Sequence, residues 1–310
     1  MSIDILEIFC IKKSVLPGRR YKTLDALAKM RFPSKSRPTG DFMRSLAYAF
    51  ILLAIGLSQS VRADVAVLVH GYLGNAGSWE FSGVNHALAM NGWQPAGVVV
   101  LGPSSPLLPP PTANAPRKAY SVELPSMEPL MLQSDMLIDM LRAIRSRHPK
   151  ESITLIGHSA GGVVARMALV RGGADGVTRL ITIASPHLGT ERALQALDAT
   201  QESGPVGFVK NIFGGRDYRV VKDSWPVLVD LTPAVPGSAL FWLNAQTHPN
   251  IKYISIVRSA PFGIGDQLVP GPSQDLRNVQ SIAGKAVTYI VPAGHTLVPA
   301  DGAMLAQLMR

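Results

Sequence analysis

From residue 64 onward, short uninterrupted apolar runs alternate with segments whose apolar residues recur every three or four positions. Val65–Val69 (VAVLV) is the first such run, and residues 96–101, 153–156, 180–184, 253–257 and 287–291 repeat the pattern. Runs of this length, rich in Val and Ile and bounded by Gly, Pro or polar residues, predict strands. Between them the spacing turns helical. Leu130, Leu132, Met136, Leu137, Met140, Leu141 and Ile144 mark one face of a helix over 129–147, and residues 78–92, 161–170 and 303–309 read the same way. Strands that alternate with helices and are apolar along their whole length imply a mostly parallel sheet covered by helices on both faces. Two stretches break the rhythm. The proline-rich residues 102–128 predict a long surface excursion, and the polar, glycine-rich residues 190–250 predict an inserted cap. No internal repeat is present. The expected architecture is one α/β domain over residues 64–310, with the cap inserted at 190–250.

The first 63 residues follow a different logic. Residues 1–42 are basic and broken by Pro17, Gly18, Pro33, Pro38 and Gly40, and read as an extension that forms no domain. Met43-Arg44 then precedes the uncharged run Leu46–Leu57, and Val61-Arg62-Ala63 closes on small residues at cleavage-type spacing. That is the layout of a secretory signal peptide over 43–63, with Met43 as the expected start. Twelve apolar residues fall short of a membrane-spanning helix; an uncleaved anchor and a buried N-terminal helix are the competing readings.

Charge changes little in this picture. The chain of 310 residues carries 30 Lys/Arg against 21 Asp/Glu, a formal +9, which alone would point to an acidic partner. Residues 1–63 hold 11 of those cations and 4 of the anions, so the body is close to balance and offers no nucleic-acid footprint. The single cysteine, Cys10, lies in the leader. The body therefore has no intramolecular disulfide, no thiolate nucleophile and no cysteine metal cluster. No cofactor and no metal are expected.

The chemistry concentrates where the third apolar run ends, in Leu155-Ile156-Gly157-His158-Ser159-Ala160-Gly161-Gly162. This G-x-S-x-G falls between a predicted strand and a predicted helix, where a sharp turn presents the serine hydroxyl and small neighbours give the backbone room. A serine hydroxyl needs a base, and the base an orienting acid; in this strand–turn–helix setting both follow the serine in the chain. Three histidines do so: His187, His248 and His295. His295, just past the last strand in Ala293-Gly294-His295-Thr296, is the expected base. Asp266, between Gly265 and Gln267 after the penultimate strand, is the expected acid, with Asp275, read as a solvated loop residue, its competitor. The oxyanion of an acyl-transfer intermediate needs backbone donors, expected from Ala160 and from Tyr72 in His70-Gly71-Tyr72. His70 and His158 are expected to serve structure rather than chemistry. Phe208, Ile212, Phe213, Trp225, Phe241 and Trp242 are read equally as an acyl-pocket lining or as the cap's own core.

Taken together, VLVHGYLGNAGSW (67–79), LIGHSAGGVVAR (155–166), LITIASPHLGT (180–190), LVDLTPAVPGSALFWLN (228–244), GDQLVP (265–270) and AGHTLVP (293–299) resemble the α/β-hydrolases, most of all bacterial triacylglycerol lipases and esterases. The resemblance implies a sheet of eight or fewer strands, a Ser159–Asp266–His295 triad, and oxyanion donors at Tyr72 and Ala160. Its first hairpin has no counterpart in the body, which points to a minimal sheet. No carboxylate pair matches the calcium site of some relatives, and their disulfide is impossible here. The implied activity is that of a secreted serine carboxylic-ester hydrolase on acyl esters, lipids among them, with transient contact to a lipid surface. Acyl transfer on the same triad, and a noncatalytic binding protein of the same fold, are the alternatives.

Overall fold

Strand β1 (Asp64–Val69) is buried on both sides, which is why its sequence is apolar at every position after the first. Val65, Val67 and Val69 enter one hydrophobic cluster while Ala66 and Leu68 enter another across the sheet. The period-2 alternation of side chains is thus hidden, because neither face meets water. The computed structural model describes residues 64–111, 115–201, 218–260 and 263–310. The predicted extension and signal segment, and with them Phe208, Ile212 and Phe213, lie outside the described residues.

Eight further strands follow: β2 (Gln94–Leu101), β3 (Pro106–Leu107), β4 (Arg117–Val122), β5 (Ser152–His158), β6 (Val177–Ile183), β7 (Lys252–Ala260), β8 (Gly263–Ile264) and β9 (Ala286–Val291). Their parallel core runs in the order β2-β4-β1-β5-β6-β7-β9; the short β3 and β8 fold back antiparallel on β2 and β7. Helices α1 (Ser78–Phe81) and α2 (Val84–Met90) lie between β1 and β2 in the chain, α3 (Leu130–Arg147) precedes β5, and α4 (Ala160–Val170) follows it. Next come α5 (Glu191–Gln201), α6 (Tyr218–Asp223), α7 (Trp225–Asp230), α8 (Ala239–Ala245), α9 (Gly271–Gln274) and α10 (Pro299–Leu308). Helices α3 and α4 bury their apolar sides in the larger core with Leu137, Met140, Val163 and Met167. On the other face Trp79, Val84, Leu88 and Leu305 bring α1, α2 and α10 onto the sheet.

The sheet departs from the sequence reading at residues 102–128. They are not wholly a surface excursion, because β4 lies inside the sheet between β1 and β2. Its sequence, RKAYSV, hides it. Arg117 and Lys118 stand at its entry, half-buried, and Ser121 is a buried polar residue in the middle of an otherwise apolar stretch. The stretch at 190–250 carries the helices α5 to α8, joined by turns, where it is described. Val227, Leu228, Leu240 and Leu243 from α7 and α8 are buried in the main core rather than in a separate one.

Candidate active site

Strand β5 ends at His158, α4 begins at Ala160, and Ser159 alone makes the turn between them. Its backbone sits at φ 52, ψ −130, a conformation that L-residues avoid and that costs of order 1–3 kcal/mol. The glycines around it are steric requirements. A Cβ on Gly157 would run into the backbone of Gly162, and one on Gly161 into the carbonyls of Val69 and His70. Gly71, across the cleft, is as constrained: a Cβ there would lie 2.8 Å from the Ser159 Cβ. The chain at Gly71-Tyr72 therefore runs directly against the serine. Ala160, as the first residue of α4, carries one of the N–H groups that a helix start leaves without an intrahelical partner.

His295 lies between β9 and α10, 8% exposed. Its Nε2 is 2.9 Å from Ser159 Oγ and its Nδ1 2.9 Å from Asp266 Oδ2. A carboxylate only accepts, so the proton sits on Nδ1 and leaves Nε2 free to accept from the serine hydroxyl. Asp266 is positioned by Gly265, whose φ of 118 turns the chain and whose place a Cβ would contest with the Gly271 backbone. Its Oδ1 accepts from the N–H groups of Leu268 and Val269, both at 2.8 Å, and its Oδ2 takes a further bond from Gln274 Nε2 at 3.1 Å. Burial alone would raise this carboxyl, but the bonds from His295, Leu268 and Val269 outweigh it and hold it below its ordinary value.

The other histidines have other partners. His158 donates from Nε2 to the carbonyl of His295 at 2.8 Å and steadies the loop that carries it. Burial and the neighbouring His295 lower it to about 3, so it stays neutral. His70 accepts from the Leu124 N–H at 3.1 Å and donates to the Gly71 carbonyl, and burial lowers its pKa. His187 pairs with Thr182, and His248 with Gln246 and Ser281; neither has Ser159 among its partners. Asp275, expected from its polar neighbour Gln274 to be a solvated loop residue, is instead buried. It is 9% exposed, accepts from the Arg277 guanidinium and Thr288 Oγ1, and caps the short turn Leu276–Asn278.

Three features of the site carried no sequence signal strong enough to single them out. Gln274 supports the Asp266 carboxylate and also accepts from the Arg258 N–H at 2.8 Å. Arg258 and Asp301 form a fully buried two-pronged ion pair at 2.9 and 2.7 Å under the His295 loop. Asp301 stands three residues after Val298 and accepts from its N–H, a capping contact at the start of α10. Beside Ser159 and His295 opens a recess walled by Leu228, Leu231, Leu268 and Val269, with Thr190 and Arg192 at one side. Trp225, Phe241 and Trp242 belong neither to this recess nor to the buried core; they are 47, 47 and 39% exposed.

A PGAP1-like α/β domain model matches residues 126–202, the span from the approach to α3 through Ser159 to α5. Among solved structures, the mature form of the Bacillus licheniformis lipase BlEst2 aligns with 81% of this chain and 92% of its own, at 18% identity and a TM-score of 0.58. A gene product of Listeria innocua aligns over 76% of this chain and 87% of its own, at 16% identity and a TM-score of 0.52. No curated protein sequence matches the chain. At these identities the likeness is one of fold, and the fold it defines is that of the α/β-hydrolases. In this fold the chain resembles bacterial lipases and esterases.

Proposed function

We propose that the chain is a serine carboxylic-ester hydrolase that works through Ser159, His295 and Asp266. The observation that carries the reading is the unbroken relay Ser159 Oγ–His295 Nε2 and His295 Nδ1–Asp266 Oδ2, each at 2.9 Å, with the serine on a strained turn. Ser159 Oγ adds to the ester carbonyl as its proton passes to His295 Nε2, and Asp266 stabilises the imidazolium without taking the proton. The N–H groups of Tyr72 and Ala160 are the donors for the oxyanion. Collapse expels the alcohol, which receives the proton from His295 and leaves an acyl-Ser159; water activated by His295 then releases the acid. The chain is read as exported, with residues 43–63 as the signal and Asp64, the first residue of β1, as the first mature residue. Among the described residues no helix is long and apolar enough to cross a membrane.

The test is a short-chain p-nitrophenyl ester assay on wild type and Ser159→Ala, with fluorophosphonate labelling in parallel. Loss of turnover and of labelling in a folded variant is the expected result. Wild-type turnover in Ser159→Ala would overturn the assignment.

A further inference from the structure

The recess beside Ser159 is apolar along most of its wall, yet among the described residues that line it stands the guanidinium of Arg192. Its charge has no evident structural use. Arg192 Nε donates to the Gln267 carbonyl at 3.1 Å and Nη1 to Gln195 Oε1 at 2.9 Å, both neutral acceptors. No carboxylate among the described residues forms an ion pair with it. It also stands in the first turn of α5, where the helix dipole disfavours a positive side chain. Neutral donors would meet both acceptors without that penalty. The two bonds instead fix the guanidinium at the edge of the recess, with Nη2 unbonded among the described residues. A planar guanidinium held in this way recognises a carboxylate or another oxyanion through a charge-assisted bond.

We infer that Arg192 selects substrates whose acyl part ends in an anionic group, so that the preferred esters are monoesters of short dicarboxylic acids rather than neutral fats. The inference rests on the proposed ester hydrolysis at Ser159. The apolar wall formed by Leu228, Leu231 and Leu268 receives the methylenes, while Arg192 receives the terminal carboxylate. Because binding energy from a remote group can be used in the transition state, the effect is read in kcat/KM.

The experiment compares the p-nitrophenyl monoester of glutarate with its methyl-capped neutral counterpart, on wild type, Arg192→Gln and Arg192→Lys. The readout is the ratio of the two kcat/KM values, which cancels any disturbance of the triad transmitted through Gln267. Wild type is expected to favour the anionic ester by roughly 10–100-fold, the range of a hydrogen bond to a charged group. Arg192→Gln should bring the ratio close to one, Arg192→Lys should restore part of it, and added salt should erode it. A wild-type ratio near one with the neutral ester turned over, or a ratio unchanged in Arg192→Gln, overturns the inference and leaves ester hydrolysis standing. No turnover of either ester by wild type, together with no fluorophosphonate labelling of Ser159, removes the hydrolase reading and the inference with it.

Discussion

Replacing Asp301 with alanine isolates the support beneath the His295 loop. Asp301 is 2% exposed and Arg258 is fully buried; the carboxylate meets both terminal nitrogens of the guanidinium, at 2.9 and 2.7 Å. It also accepts from the Val298 N–H at 2.9 Å, and Arg258 reaches toward the Thr296 carbonyl, so the pair holds the chain immediately after His295. Asp301→Ala leaves the Arg258 charge buried with no counter-ion, a loss of roughly 3–5 kcal/mol. For a domain of this size each kcal/mol lowers Tm by about 2–4 °C, so a fall of roughly 6–20 °C is expected. Urea unfolding measures the loss directly, and kcat at a temperature where the variant is fully folded reports on the loosened His295. The double variant Arg258→Met/Asp301→Leu removes both charges and should recover most of the stability, because the large cost lies in the unpaired ion rather than in the missing attraction. A loss below about 1 kcal/mol in Asp301→Ala, or a double variant as unstable as the single one, would refute the argument.

Further outcomes follow from the same geometry. Asp266→Asn should lower kcat on the order of 10⁴-fold, as in serine triads generally, because the amide favours the wrong imidazole tautomer. Asp275→Asn should lower Tm through its lost partners Arg277 and Thr288 while leaving kcat within a few-fold; the reverse pattern in paired kinetics would mean that the acid has been misplaced. The fold should lose stability as pH falls below about 6.5. Burial lowers His158 to about 3 and His248 to about 4, so between those values and the ordinary histidine range the unfolded chain binds more protons than the folded one. Asp266 and Asp275, both held below 3.8, lose their stabilising effect at still lower pH and act in the same direction. Urea midpoints that stay flat from pH 7 to pH 5 would contradict this. Gly162→Ala should destabilise by roughly 1–3 kcal/mol through overpacking against Ser185, and Ser185→Ala should relieve part of it. Gly161→Ala meets the backbone carbonyls of Val69 and His70, so no side-chain truncation should rescue it, and thermal melts of the three variants make the comparison.

What the sequence made legible was what local physics decides alone. Val65–Val69 and Ile153–Ile156 announce themselves as strands because both of their faces are buried. Strand β4 does not. Lys118 and Ser121 interrupt its apolar pattern and prolines bound it, and its place depends on pairing with β1 and β2, which no local window contains. In the site, the order of Ser159, Asp266 and His295 along the chain was readable, and the structure brings these three side chains together. The choice between Asp266 and Asp275 was a matter of where each carboxylate points. The left-handed Gly265 sends the first toward His295, while Arg277 and Thr288 claim the second. Gln274 and Arg192 were invisible because their partners, Asp266 and the Gln267 carbonyl, meet them only through tertiary folding.

The interleaving of β4 between β1 and β2 also sets a timetable for a growing chain. Asp64 takes Arg117 as its neighbour on one side and Ser152 on the other, and β2 pairs with β4 and β3 but never with β1. A nascent polypeptide that has reached only the end of β2 can lay α1 and α2 against one face of VAVLV but has, among the described residues, no native strand to pair with its edges, and VAVLV is an uncharged, proline-free ribbon of the kind that readily finds other chains. Hydrophobic strands in this position wait on contacts distant in sequence, which slows folding and lengthens their exposure. Fragments that stop short of Val122 should accordingly be sticky rather than merely incomplete, and after the apolar run Leu46–Leu57 the next apolar foothold for any helper that binds the growing chain is β1.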